Sequence, residues 1–127
     1  MTSTTLDLNA AAAGELNATV RAAFADAERQ EAYLPTVCVQ NHAANLHALA
    51  NGDLLCVWFG GTQEGIPDVS IYMSRLAAGS TTWSDAQKLS DDPTCSEQNP
   101  VLFTAPDGAL AALYGAIVGT PEYGNRP

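Results

Sequence analysis

The chain has 127 residues, 46% of them hydrophobic and 15% charged, the balance of one ordinary globular unit with a modest core, not of a disordered segment. Five Lys and Arg against fourteen Asp and Glu give a formal net charge of -9. The basic surface that neutralises phosphates is therefore missing, and nucleic acid and anionic membrane surfaces are poor candidate partners.

The first fourteen residues, MTSTTLDLNAAAAG, lack the basic start and long Leu-rich run of a secretory signal, so the chain as it stands reads as intracellular. Residues 15–32 place Leu16, Val20, Phe24 and Ala27 at helical spacing among good helix formers, which predicts a helix there. The alternative is a strand over ATVRAAF, since Thr19, Val20 and Phe24 also suit a pleat. Residues 1–33 are thus set apart as an N-terminal segment, helical or partly disordered.

From Leu34 onward Pro, Asn-Gly, Gly-Gly and Asp-Gly punctuate short apolar runs, the pattern of successive hairpins in an all-β region. Strands are expected over 45–49, 54–59, 69–76, 83–89, 100–104 and 109–114. Asn51-Gly52 and Asp107-Gly108 are the tight turns, read as primed hairpin turns because both pairs can supply positive φ. They lie 56 residues apart, and the same offset puts Leu102 on Leu46, Leu110 on Leu54, Leu113 on Val57 and Tyr114 on Trp58. A period of that size holding four strands is the sequence form of a β-propeller blade. About one and a half blades fit between residues 34 and 114, and the tail over 115–127 departs from the strand pattern after Tyr114. Propellers close a ring of roughly four to eight blades, so the expectation is an all-β, partial β-propeller that is a fragment of a larger protein.

No stretch approaches the roughly 20 apolar residues of a membrane span. Cys38, Cys56 and Cys95 form an odd set without C-x-x-C spacing, which speaks against a zinc ribbon or a disulfide framework and for buried thiols. No metal-ligand spacing, Gly-rich phosphate loop or nucleophile elbow occurs, and Asp91-Asp92 is too short for a calcium site, so neither a metal nor a cofactor is expected.

The segment NHAANLHALANGDLLCVWFGGTQEGIPDVSIYMSRL, followed by TTWSDAQKLSDDP and SEQNPVLFTAPDGAL, resembles the N-terminal blades of the BNR-repeat, sialidase-like propellers. That resemblance implies six or seven blades and an Asp-box hairpin between outer strands. Ser74, Gly79, Thr82 and Trp83 stand in the Asp-box place, but Leu76 replaces its aspartate and the spacing is two residues longer. Sialidases also carry a Phe/Tyr-Arg-Ile-Pro motif whose arginine grips the substrate carboxylate. Counting back from Gly52 puts Asn41-His42-Ala43-Ala44 on that motif, with His42 at the arginine. A histidine there is similar to the branch that removes terminal rhamnose from a rhamnosyl-glucuronate end by lyase or hydrolase chemistry, and the run from Ser96 to Phe103 matches the same branch.

On this reading the partner is a glycan or oligosaccharide. The imidazole of His42 is the candidate proton-transfer group, with Gln98 as its equivalent one blade on, facing the same cavity. Glu64 and Asp68, in the loop GGTQEGIPD, are candidates to orient the imidazole or act as an acid, against a plain role as solvated turn residues. Asn41, Gln63, Gln98 and Asn99 offer amides suited to sugar hydroxyls. His47 is read as a packed or surface histidine, Arg75 as a weak site candidate, and Trp58, Phe59, Tyr72 and Trp83 as core. The competing class is a non-enzymatic glycan- or protein-binding propeller built from the same rim residues.

Overall fold

A computed structural model describes residues 16–23 and 25–118. Phe24, residues 1–15 and the last nine residues of the tail lie outside them. Eight strands run in chain order: β1 (Arg21–Ala23), β2 (Asp26–Glu31), β3 (Gln40–Ala48), β4 (Leu54–Gly61), β5 (Ser70–Leu76), β6 (Gln87–Lys88), β7 (Cys95–Thr104) and β8 (Leu110–Val118). There is no helix among the described residues, so the helix expected over 15–32 is corrected to the antiparallel pair β1–β2. Tertiary pairing decides this stretch. Thr19 bridges Thr82, and Val20 N–H and Trp83 N–H donate to Thr81 and Ala18 carbonyls at 2.7 and 2.9 Å, which fixes the segment as an extended edge despite its helix formers.

The strands β3-β4-β5-β6 form one four-stranded antiparallel sheet, and β7–β8 form a second hairpin beside it. This is one complete propeller blade with the first two strands of a second. The 56-residue repeat is present in the backbone as well as in the sequence. Every β3–β4 partnership, from Gln40↔Gly61 through His42↔Phe59 and Asn45↔Val57 to Ala48↔Leu54, recurs 56 residues on in β7–β8, from Ser96↔Ile117 to Thr104↔Leu110.

The turns recur too. Gly52 N–H donates to Leu49 O at 3.0 Å and Leu49 N–H to Asp53 O at 2.8 Å; Gly108 N–H donates to Ala105 O at 2.8 Å and Ala105 N–H to Ala109 O at 2.7 Å. Each loop thus has three residues, and only its glycine has positive φ, 92° at Gly52 and 86° at Gly108. These are type I turns followed by a left-handed residue, not the primed two-residue turns expected. Asn51 Oδ1 and Asp107 Oδ1 accept from the N–H two residues on, which explains the residue type before each glycine.

On β4, alternate residues Leu55, Val57 and Phe59 turn toward the second hairpin. Leu55 and Val57 pack with Leu102, while Phe59 packs with Val69 and Ile71. Burying such a set contributes about 1.5–3 kcal/mol per side chain. Asn45 Oδ1 accepts from Leu102 N–H at 3.2 Å and His47 Nε2 lies 3.0 Å from Thr104 Oγ1, so His47 links the two blades. Cys56 and Cys95 are buried and Cys38 is half-buried, all as free thiols; burial pushes the Cys56 and Cys95 thiols up, which keeps them protonated. The tail keeps its strand to Val118, because Gly115, Ala116 and Ile117 pair with Gln98, Glu97 and Ser96.

Candidate functional site

His42 and Gln98 do not precede their strands, as expected, but lie within them, each at the edge of a β-bulge. The register shifts between His42 and Asn45 in β3 and between Gln98 and Val101 in β7, so two residues oppose one on the partner strand. The next residue is left-handed in both, Ala43 with φ 50° and Asn99 with φ 55°. Asparagine tolerates that conformation better than alanine does, which accounts for Asn99 on backbone grounds. The bulge therefore places His42 and Gln98 at equivalent positions of two neighbouring blades.

Their surroundings differ. His42 is exposed at the surface and its ring stacks on Phe59, with centroids 5.2 Å apart and planes at 26°. It borders a cavity of about 290 Å³ with Leu34, Pro35, Ala44, Cys56 and Trp58. Gln98 is buried and donates from Nε2 to Ser96 Oγ at 2.9 Å. It borders a second cavity, of about 430 Å³, with Gln40, Gln63, Glu64 and Ile117. The single funnel expected for His42 and Gln98 is thus divided. Gln40 stands between the halves: its Oε1 accepts from Glu64 N–H at 3.1 Å and lies 3.4 Å from His42 Nε2.

The loop over residues 62–68 returns to the end of β4 beside His42, as antiparallel pairing requires. Its carboxylates divide the work. Asp68 accepts from Thr62 N–H at 3.2 Å and from Thr62 Oγ1 at 2.5 Å, so it closes the base of the loop. A Cβ at Gly61 would stand 2.7 Å from Asp68 Oδ1, so Gly61 is what lets the loop fold back this closely. Glu64 is exposed, with its backbone tied to Gln40. Asn41 spends its amide on the blade: Nδ2 donates to Cys38 O at 2.9 Å and Oδ1 accepts from Trp58 Nε1 at 3.2 Å.

Two residues escaped the sequence reading. Gln40 is signalled only by standing two positions before His42 on the same face of a strand. Glu97 is the 56-residue counterpart of Asn41 and is 2% exposed; its Oε1 accepts from Asp92 N–H at 2.8 Å while Oε2 has no hydrogen-bond partner among the described residues. Arg75 is also accounted for: its guanidinium pairs with Asp53, whose Oδ1 accepts from Ala78 N–H at 2.7 Å. Asp53 is held below the usual carboxylate range, first by that backbone N–H and then by Arg75. The turn that would carry an Asp-box is thus held by an aspartate from the neighbouring hairpin.

Among the described residues no group of three or more His, Cys, Asp or Glu is arranged to hold a metal ion, and no helix is long and apolar enough to cross a membrane. A family model described as a BNR repeat-like domain matches residues 52–124, more than half of the chain. No curated protein and no solved structure matches it.

Proposed function

Because the chain belongs to the BNR repeat-like domain family, and so to the sialidase-like superfamily, we propose that it is the N-terminal part of a carbohydrate-active propeller acting on a terminal sugar of an acidic glycan. The observation that supports this reading is the repeated bulge, at which His42 and Gln98 take matching strand positions in adjacent blades. His42 transfers the proton, either as the base of a lyase on a rhamnosyl-glucuronate end or as the acid-base group of a hydrolase. Glu64, whose backbone N–H donates to the Gln40 oxygen beside His42, supplies the carboxylate that assists it, and Asp68 acts indirectly by shaping the loop. Gln63, Gln98 and Asn99 meet sugar hydroxyls, with Asn41 fixing the strand beneath.

The ring continues beyond the second hairpin. Val57 is fully buried by the second blade, whereas Leu113, its counterpart, is 68% exposed beside Val101 and Phe103. A third blade would cover that face, and the chain alone is inactive without it. In the complete ring, His42→Ala lowers turnover of acidic oligosaccharides by about 10²–10⁴-fold while sugar binding persists. A full-length wild type that turns over no acidic glycan sinks the enzyme reading. One observation favours the alternative, a non-enzymatic glycan- or protein-binding propeller: Asp68, one of the two carboxylates expected to orient the imidazole or act as an acid, is engaged by Thr62. Glycan binding that survives in a wild type without turnover supports that alternative.

A further inference from the structure

We propose that Gln40 is a positioning residue that fixes the tautomer of His42, placing the proton on Nε2 and leaving Nδ1 as the nitrogen that accepts a proton. The argument starts from Glu64, whose backbone N–H can only donate. Its acceptor at 3.1 Å is Gln40 Oε1, so the side-chain amide presents its oxygen, not its nitrogen, at this point. The same oxygen lies 3.4 Å from His42 Nε2. An amide oxygen carries no hydrogen, so the ring nitrogen must be the donor, and a neutral imidazole that donates from Nε2 carries its lone pair on Nδ1. Phe59, stacked against the ring, limits its rotation away from this partner.

The second blade repeats the device with different atoms. Gln98, the counterpart of His42, donates from Nε2 to Ser96 Oγ, and Ser96 is the counterpart of Gln40. In both blades the side chain two residues before the bulge accepts a hydrogen bond from the rim residue. Gln40 also ties that rim residue to the Glu64 loop, so loop position and tautomer are set by one oxygen.

The tautomer stands on this geometry alone; its use rests on reading His42 as the proton-transfer group. In that step Nδ1 takes a proton from a sugar hydroxyl or carbon, the electron pair of the broken bond stays with the sugar, and the imidazolium keeps its Nε2–H on Gln40.

The test is nitrogen NMR of the ¹⁵N-labelled 127-residue chain at a pH above the ordinary histidine range, with His47→Gln assigning the two histidines. His42 is expected to show a protonated Nε2 and an unprotonated Nδ1. Gln40→Ala, a change at an exposed side chain, shifts it to a mixture of tautomers, and Gln40→Glu, which keeps an acceptor oxygen at the same reach, restores the Nε2–H form. A wild-type His42 that is Nδ1-protonated or averages both forms overturns the proposal, as does a Gln40→Ala spectrum unchanged from wild type. Since no sugar is present, failure here is distinct from failure of the turnover experiment.

Discussion

Single residues set the backbone of this chain where sequence pattern is silent. Ala43 occupies a left-handed conformation that asparagine fills one repeat later. Ala43→Gly is therefore expected to raise stability by about 0.5–1 kcal/mol, and Asn99→Ala to lower it by a similar amount, in chemical denaturation of each variant. Asp53 acts through charge. Its folded value lies below the unfolded 3.8, so it binds fewer protons when folded. Its contribution is then complete above the unfolded value and disappears as pH falls through the lowered folded one. Asp53→Asn should melt below wild type near neutral pH, with the two melting temperatures converging in strong acid. Equal gaps at both ends of a pH series would refute the Asp53–Arg75–Ala78 linkage.

At the scale of the strand pair, Leu102 is the residue through which the second hairpin meets the first blade. Leu102→Ala should cost about 2–5 kcal/mol and speed amide exchange at Leu102 itself, the N–H held by Asn45. The apolar strand cores, both hairpin turns and the 56-residue period were legible in the sequence, because Leu54 to Phe59 and their counterparts alternate with turn residues at fixed offsets. The strand beginnings were not. QNHAA and SEQNP are polar and interrupted by a bulge, so they carry no period-2 signal although backbone pairing continues on both sides of the bulge. The candidate site was hidden for the same reason: His42 and Gln98 could be named from the motif and the offset, but the bulge beside each could not. The segment over 15–32 misled in the opposite sense, since its helix formers are overruled by pairing with residues 81–83.

For the molecule as a whole, Val101, Phe103 and Leu113 form an exposed apolar row on the second hairpin, and such a face drives association. The isolated chain should sediment with a mass that rises with concentration, and Leu113→Lys should hold it nearer the monomer. A monomer at all concentrations would argue that this face is covered in another way. The matched three-residue turns also bear on the order of folding. Each joins strands only a few residues apart in sequence, whereas the Asn45–Leu102 bond closes a separation of 57 residues. Loops of a few residues close in well under a microsecond, and long closures carry the entropic barrier, so the two hairpins form as independent, interchangeable nuclei and their docking limits the rate. Substitutions at Gly52 and Gly108 should then slow folding, while Leu102→Ala mainly hastens unfolding. A chain built in this way can add blades one after another, each hairpin prepared before the neighbour that will hold it arrives.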